Sequence, residues 1–146
     1  MNEAVLKVKL LRPGARLPSR ATAGATGLDL YACLEGPDYV DVGRDVTLVP
    51  TGIAIEAPPG FDVQLRPRSS LARQGVIVVL GTLDADYRGE VFVAMHTVGS
   101  RETYRVGQGD RIAQLVVSRF ETPAVVEVAA LSASERGEGG HGSTGR

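Results

Sequence analysis

Apolar and polar residues alternate along much of this chain, which is the pattern of a β-strand with one buried face. In Gly52-Ile53-Ala54-Ile55-Glu56, for example, the two isoleucines fall on the same side. The segments with this character are 52–56, 61–66 and 91–95, a looser copy at 5–10 and a more apolar run at 111–117. The pattern therefore predicts several short strands, of which the one at 111–117 is the most deeply buried.

Turn signals separate these segments, at 36–38, 42–45, 58–60 and 107–110. Each contains glycine together with proline or aspartate, the residues that tight turns favour. No window of helical length has a period of 3.6 residues. The one short helix predicted is 69–74, with a serine as its N-cap and Gly75 ending it. Strands and turns at this spacing predict an all-β sandwich, jelly roll or barrel.

Length and composition suit one folded domain of 146 residues, 43% of them hydrophobic. The formal net charge of −1 argues against nucleic acid or an anionic membrane as a partner. The single cysteine, Cys33, cannot form an intramolecular disulfide, and it fits a small core residue in a reducing compartment. Because the N-terminus lacks a signal peptide and no apolar run is long enough to span a membrane, the sequence predicts a cytoplasmic protein.

Composition changes near residue 132, where the chain becomes rich in glycine and has little to bury. We therefore expect a domain over 1–131 and a flexible tail over 132–146. Backbone N–H groups of such a tail can wrap around phosphates, although the Lys-Ser/Thr pair of a P-loop is absent. The alternative is a frayed terminus, in which His141 is passive rather than a ring laid on a base.

The segment Arg66-Pro67-Arg68-Ser69-Ser70-Leu71-Ala72 is a candidate anion site. A strand is expected to end at Pro67 and a helix to begin at the serines, so that unpaired N–H groups face outward. Arg68 adds a charged donor, and the two hydroxyls add further donors. The alternative is that Ser69 or Ser70 only caps the helix, and this segment by itself does not separate the two interpretations.

The segment 81–91 reads as a β-hairpin with carboxylates near its turn. Asp84 and Asp86 would share a face if the backbone were extended. Turn chemistry explains aspartate and glycine there, but it does not explain an aromatic residue, Tyr87. Such a ring can stack on a sugar or base, and a carboxylate can hold and polarise a water molecule.

Together with two further segments, these motifs resemble the trimeric deoxyuridine triphosphatases, or dUTPases. The five motifs of that family are found here in order, at 23–32, 66–72, 81–91, 109–115 and 136–145. Any one of them is a weak signal, whereas five in order over nearly the whole chain are specific.

The resemblance implies a distorted jelly-roll-like β-barrel with one short helix, in a homotrimer with exchange of the C-terminal tail. It also implies hydrolysis of dUTP to dUMP and pyrophosphate by attack of water on the α-phosphate. This reaction limits uracil incorporation into DNA and supplies dUMP for dTMP synthesis. The family builds each active site at a subunit interface: one subunit supplies the third motif, another the first, second and fourth, and a third its tail as a lid.

Residue roles follow from the motif match. Asp84 resembles the carboxylate that orients the attacking water and touches the 3′-hydroxyl. Gln114 resembles the amide near the α-phosphate, and Asp29 a supporting carboxylate close to the metal's water shell. Mg²⁺ is expected to bind the triphosphate and waters with no direct protein ligand, so that Asp29 contacts it only through water. The substrate-binding residues implied are Arg68, Ser69, Ser70, Thr82, Leu83, Asp84, Tyr87, Arg136, His141, Gly142, Ser143 and Thr144.

Within that set, Tyr87 matches the ring under the sugar that leaves no room for a 2′-hydroxyl. Arg136 matches the phosphate clamp of the lid, with Ser143 and Thr144 near the γ-phosphate. His141 takes the stacking position that is Phe in most members, which adds a pH dependence.

The segment 76–80 departs from the family, because it is shorter than usual, wholly apolar, and lacks the Asn or Asp near the base. Uracil recognition must then rest on backbone groups around Thr82 and Leu83, or on water. One alternative function is that of a deoxycytidine triphosphate deaminase, since that family shares the fold and a similar Arg-Ser-Ser motif. The shortened segment suggests a second alternative, a non-catalytic nucleotide sensor on the same scaffold.

Overall fold

The computed structural model describes residues 3–140 and 142. It consists of antiparallel strands and one short helix, as the sequence predicts. The elements are β1 (Lys7–Leu10), β2 (Leu28–Tyr31), β3 (Tyr39–Val42), β4 (Thr47–Glu56), β5 (Phe61–Arg66), α1 (Ser69–Arg73), β6 (Val76–Val78), β7 (Gly81–Leu83), β8 (Glu90–Thr97), β9 (Tyr104–Gly107) and β10 (Arg111–Arg119).

Two four-stranded sheets, with strand orders β1-β4-β8-β6 and β2-β10-β5-β7, enclose one apolar core. A two-stranded ribbon, β3-β9, completes the structure. Side chains from both large sheets meet in a single cluster, which includes Val49 and Val93 from one sheet and Leu65 and Ile112 from the other. Two packed antiparallel sheets of this kind confirm the predicted jelly-roll class.

Strand burial follows the sequence pattern closely in β8. Val91, Val93 and Met95 are fully buried, while Phe92 between them is exposed. Strand β10 pairs on both sides, with β2 and with β5. Its central position explains why its sequence is more continuously apolar than that of the other strands. Cys33 is also buried in the core, as predicted.

Strand β4 is longer than the predicted segment 52–56, and it does not alternate throughout. Its register with β8 shifts between Pro50 and Ala54, which marks a β-bulge. Near this break the buried hydroxyl of Thr51 donates a hydrogen bond of 2.6 Å to the Val91 carbonyl. The irregularity allows Ile53 and its two neighbours to be buried together.

The prediction that a serine caps the helix is wrong. The N-cap is Arg68, whose backbone is extended, with φ −91° and ψ 132°, and no side chain caps the helix. The Arg68 carbonyl accepts hydrogen bonds from the amides of Leu71 and Ala72. Extended geometry thus continues one residue past Pro67, which places both serines inside the first turn. The helix ends at Gln74 as C-cap, and Gly75 follows with φ +80°.

The segment 81–91 is not a simple hairpin. Strand β6 pairs with β8, but β7, which lies nearer the turn, leaves that sheet and pairs with β5. Residues 84–89 form no strand, and the Tyr87 amide donates to the Asp84 carbonyl at 3.0 Å, which closes a turn. The expectation that Asp84 and Asp86 share a strand face therefore does not hold.

After β10 the chain continues without a strand partner among the described residues. Over 120–131 its apolar side chains are exposed, with Val125 at 99% and Leu131 at 89% relative accessibility. Between residues 3 and 140, no helix has the length and apolar character needed to cross a membrane.

Candidate active site

Three neighbouring strands bring the first group of predicted residues together. Gln114 on β10 lies in register with Asp29 on β2 and with Arg66 at the end of β5. The Asp29 carboxylate, 15% exposed, has the Nε atom of Arg68 at 3.5 Å from one oxygen and the Nε atom of Arg111 at 3.8 Å from the other. We call Asp29, Arg68, Arg111 and Gln114 the arginine cluster.

Hydrogen bonds hold this cluster in one arrangement. Arg68 donates from Nη1 to the Arg111 carbonyl at 3.2 Å, and Gln114 donates from Nε2 to the Pro67 carbonyl at 3.0 Å. Gly27 lies directly against the Gln114 amide, since a Cβ atom at this glycine would lie 2.0 Å from the Gln114 Oε1 atom. The sequence places glycine where the backbone must approach that side chain closely.

Ser69 and Ser70 lie beside the arginine cluster, at the exposed start of α1. Neither hydroxyl caps the helix, so the capping interpretation of these serines is not supported. Among the described residues neither hydroxyl has a hydrogen-bond partner, so both are available to donate to an anion near Arg68, the residue just before the helix.

The predicted residues of the 81–91 segment form a second group. Thr82, Leu83, Asp84 and Tyr87 line one cavity of about 280 Å³, together with Glu90 and Phe92. We call this the tyrosine cavity. The Tyr87 hydroxyl donates a hydrogen bond of 2.8 Å to the Glu90 carbonyl. The ring crosses Gly89, where a Cβ atom would lie 2.5 Å from the Tyr87 hydroxyl oxygen.

The Asp84 carboxylate makes no hydrogen bond or ion pair with any part of the chain that the structure describes. Its backbone carbonyl is engaged in the turn, but both carboxylate oxygens are free. Thr82 has its hydroxyl occupied, because Oγ1 donates to Gln64 Oε1 at 2.9 Å. Strand β7 is the edge of its sheet, so backbone groups on its outer side have no strand partner.

The two groups are separate within one chain. Across residues 3–140 and 142, no hydrogen bond or ion pair joins the arginine cluster to the tyrosine cavity. The connection 79–80 between β6 and β7 carries Leu80, which is 72% exposed. Both groups belong to the sheet β2-β10-β5-β7, and the lining of the tyrosine cavity includes no residue of the arginine cluster.

In the part of the tail that the structure describes, the hydrogen bonds of Arg136 go to other tail residues. The Arg136 guanidinium donates from Nε to the Gly139 carbonyl at 2.5 Å and from Nη2 to the Gly140 carbonyl at 3.4 Å. Gly142 is exposed, in a turn with φ +80°. The other predicted tail residues, His141, Ser143 and Thr144, lie outside the described residues.

The sequence reasoning missed three residues near these groups. Arg111 belongs to the arginine cluster, and its signal was its place in the fourth motif. Glu90 lines the tyrosine cavity and forms a bidentate ion pair with Arg12. The hydrogen bond to the Glu90 carboxylate is the main cause of a raised pKa of the Arg12 guanidinium, and burial of the guanidinium acts in the opposite direction. No sequence signal pairs residues 78 positions apart.

Residues 3–140 and 142 contain no group of three or more His, Cys, Asp or Glu placed to hold a metal ion. The available oxygen donors are carboxylates, which suit Mg²⁺. Asp29 has arginine nitrogens at both oxygens, whereas Asp84 has free oxygens beside a cavity. This donor set fits an ion that keeps its waters and binds mainly to a ligand's phosphates.

A family model described as dUTPase matches residues 14–145. The chain belongs to the dUTPase family. This dUTPase chain is 46% identical to the deoxyuridine 5′-triphosphate nucleotidohydrolase of Anaplasma marginale (strain St. Maries), over 97% of this chain and 99% of that protein. It is 42% identical to the protein of the same name from Thermoanaerobacter sp. (strain X514), with 97% of each covered.

Solved structures agree with this dUTPase assignment. The Staphylococcus bacteriophage 80alpha dUTPase with dUpNHpp superposes with a TM-score of 0.85 at 28% identity, covering 97% of this chain and 99% of that chain. A mutant dUTPase from phage phi11 of S. aureus, described for its coordination of a structural Mg(II) ion, has a TM-score of 0.75. At 22% identity over 86% of this chain and 97% of that one, it shows the fold alone.

Proposed function

We propose that this chain hydrolyses dUTP to dUMP and pyrophosphate, and so limits uracil incorporation into DNA and supplies dUMP for dTMP synthesis. Family membership sets the substrate class, and the observation that carries the chemistry is the free Asp84 carboxylate in the cavity that it shares with Tyr87. A carboxylate with no protein partner is available to accept a hydrogen bond from a water molecule.

Asp84 acts as the general base. It orients a water whose oxygen forms a bond to the α-phosphorus while it takes the water's proton. The bond between the α-phosphorus and the oxygen that bridges to the β-phosphate breaks, and pyrophosphate leaves with that electron pair. Tyr87 lies under the deoxyribose, where its ring leaves no room for a 2′-hydroxyl.

The arginine cluster and the two serines hold the phosphates. Arg68 supplies a charged donor, whose Nε atom lies 3.5 Å from a carboxylate oxygen of Asp29 that orients it. Ser69 and Ser70 supply hydroxyls that are not used to cap the helix. Gln114 places its amide near the α-phosphate and the water. Because charge develops on the phosphate oxygens, donors that are already in position stabilise the transition state.

The tail completes this charge stabilisation. In the described chain Arg136 bonds only to tail carbonyls, so its guanidinium is not committed to a partner on the folded body. We propose that the flexible tail over 132–146 closes on bound nucleotide. Arg136 then clamps the phosphates, His141 stacks on uracil, and Gly142, Ser143 and Thr144 contact the phosphate chain.

Mg²⁺ is the proposed cofactor, bound through phosphate oxygens and waters, with Asp29 in contact only through water. When bound, the ion neutralises charge on the triphosphate. The two guanidiniums beside Asp29 support this indirect role, since each oxygen of the carboxylate already has a positively charged group within 4 Å.

A homotrimer with exchange of C-terminal tails explains two features of the single chain. Among the described residues no hydrogen bond or ion pair joins the arginine cluster to the tyrosine cavity, which supports a site that is completed by groups from more than one copy. The exposed valines and Leu131 of 120–131 need an apolar partner surface, and a monomer leaves them in water. We propose that this segment packs on a neighbouring copy of the 1–131 domain.

Uracil recognition is proposed to rest on the outer edge of β7, around Thr82 and Leu83. Strand β7 has a free edge, and the Thr82 hydroxyl is already bonded to Gln64, so backbone groups are the donors and acceptors left there. The cytoplasm is the proposed location, because the lone buried Cys33 suits a reducing compartment.

One assay tests the function and separates its alternatives. Purified protein with Mg²⁺ is given dUTP, dTTP, dCTP and UTP side by side, and release of pyrophosphate and of ammonia is measured. Pyrophosphate from dUTP in preference to the others is expected. Ammonia from dCTP would identify a deaminase, and nucleotide binding with no turnover at high protein concentration would identify a sensor.

A further inference from the structure

Arg12 joins three parts of the chain that are distant in sequence. Its Nη1 and Nη2 atoms bond the two carboxylate oxygens of Glu90 at 2.5 and 3.1 Å, and Nη2 also donates to the Cys33 carbonyl at 2.7 Å. The Glu35 carboxylate lies 3.5 Å from Nη1. A bidentate pair of this kind fixes the angle of both side chains as well as their distance.

Glu90 links Arg12 to Tyr87, because its carboxylate binds Arg12 and its carbonyl binds the Tyr87 hydroxyl. Glu90 begins β8, its carbonyl accepts the Tyr87 hydroxyl at 2.8 Å, and it lines the tyrosine cavity. The guanidinium, the Glu90 carboxylate, the Glu90 carbonyl and the phenol thus form one continuous chain of contacts.

Stability alone does not account for this pair. The two side chains are 18% and 15% exposed, and among the described residues the buried Nε atom of Arg12 has no hydrogen-bond partner. Burying charges costs free energy, and well-packed apolar residues often replace such pairs with no loss of stability. An ion pair at this place is better explained by the orientation that it imposes on the start of β8.

We propose that Arg12 is a positioning residue which, through Glu90, holds the Tyr87 ring against the sugar and so sets discrimination against ribonucleotides. This inference rests on the proposed function of Tyr87. Arg12 itself touches no substrate. If the start of β8 shifts, the ring loses its anchor at the hydroxyl, and space opens where a 2′-hydroxyl would lie.

The test compares Arg12→Lys with Glu90→Gln and with a matched control, Arg105→Lys. Arg12→Lys keeps the positive charge but removes the planar guanidinium that binds both carboxylate oxygens. Glu90→Gln keeps the shape of the side chain but removes its negative charge. Arg105 makes a similar fork to Asp41, at 3.0 and 3.4 Å, but on the β3-β9 ribbon. The readout is kcat/KM for dUTP divided by kcat/KM for UTP, with the melting temperature of each variant.

Arg12→Lys is expected to lower that ratio roughly three- to thirtyfold, which lies within the range measured for coupled neighbours. The ratio falls because kcat/KM for UTP rises, while kcat for dUTP stays within a factor of about three. Glu90→Gln lowers the ratio in the same direction, and Arg105→Lys leaves it unchanged. If Arg12→Lys does not fold, Glu90→Gln decides the question.

A double-mutant cycle shows whether the effect passes through Tyr87. Tyr87→Phe keeps the ring but removes its bond to the Glu90 carbonyl, so adding Arg12→Lys to it should lower the ratio little further. An equal fall in both backgrounds, or an unchanged ratio in Arg12→Lys, overturns this inference alone. A wild-type protein that does not prefer dUTP to UTP overturns the proposed role of Tyr87 and this inference with it.

Discussion

The arginine cluster and the tyrosine cavity each contain an aspartate, but the two carboxylates have different surroundings. Asp29 is mostly buried, and arginine nitrogens lie near both of its oxygens. Asp84 has no partner in the described part of the chain, and its turn is held through backbone atoms instead. In the arginine cluster the Asp29 carboxylate orients two guanidinium groups, whereas in the tyrosine cavity the Asp84 carboxylate is available to bind a water molecule.

This contrast explains which parts of the site are already in place in one chain. Asp29 and Gln114 are held in register on the adjacent strands β2 and β10, and Arg68 follows the neighbouring strand β5 as the N-cap residue of α1, so the arginine cluster is already assembled in the folded chain. Among the described residues, the cavity and the tail contain polar groups without a partner on the folded body. These groups are the Asp84 carboxylate, the outer edge of β7 and the Arg136 guanidinium. We infer that these open groups are the ones that substrate and neighbouring copies must complete.

The largest effect is expected from Asp84→Asn. It removes the general base while keeping the size of the side chain, so turnover should fall about 10²–10⁴-fold while nucleotide binding stays submillimolar. Rates and binding are measured by pyrophosphate release and calorimetry. Asp86→Asn, in the same turn, is the matched control and should be nearly silent. An Asp84→Asn protein with more than half of wild-type turnover would contradict the assignment.

Removal of residues 135–146 tests the tail. The deletion takes away nothing from the core, so the melting temperature should stay near normal, while loss of Arg136 and the backbone donors lowers turnover roughly 10²–10³-fold. His141→Ala should cost less, since stacking of a base on a ring is worth about 1–3 kcal/mol. Full activity in the truncated protein would make the tail a frayed terminus.

Mixing that deletion with Asp84→Asn subunits tests exchange between copies. A mixed trimer unites an intact Asp84 from one chain with an intact tail from another, so activity should return on subunit exchange. Activity is followed against mixing time, with each protein alone as the control. No recovery would mean that each tail serves its own subunit or none.

Gly27→Ala tests the arginine cluster. The added Cβ would lie 2.0 Å from the Gln114 Oε1 atom, so this amide must move and lose its bond to Pro67. A displacement of about 1 Å in a catalytic group can cost up to ~10²-fold, and we expect kcat/KM to fall toward that limit. Gly24→Ala is the control, because its Cβ would meet nothing within 4 Å. Equal kinetics in the two variants would remove Gln114 from the mechanism.

The smallest effect belongs to an exposed pair outside the site, Asp41 and Arg105. The hydrogen bond from Arg105 lowers the pKa of Asp41. Because the folded value lies below the unfolded one, the pair stabilises the fold above the unfolded pKa, and this contribution is lost as pH falls through the folded pKa. Asp41→Asn should thus lower the melting temperature slightly near pH ~6, with the difference shrinking toward about pH 3. A difference that grows on acidification would contradict this sign.

Local patterns predicted five of the ten strands that the structure describes, because a strand with one buried face must alternate. The segment 61–66 became β5 with those bounds, and Val91, Val93 and Met95 became a buried face of β8. The failures were at junctions. A serine was expected to cap the helix, yet the N-cap position is held by Arg68 with no side-chain cap, because extended geometry continues beyond Pro67. The hairpin predicted around 81–91 forms in part, since β6 pairs with β8 but β7, which lies nearer the turn, pairs with β5.

The sequence by itself determined the family and the residue types of the site, because the five motifs specify chemistry through short, local spacing. Only the tertiary structure decided which carboxylate is paired and which is free, and that Arg12 reaches Glu90. Those contacts join residues that are far apart in sequence, and their geometry depends on strand order and register. The spacing of residues along the chain does not specify strand order or register. The same motif can therefore face a partner or solvent, depending on how the sheets pack.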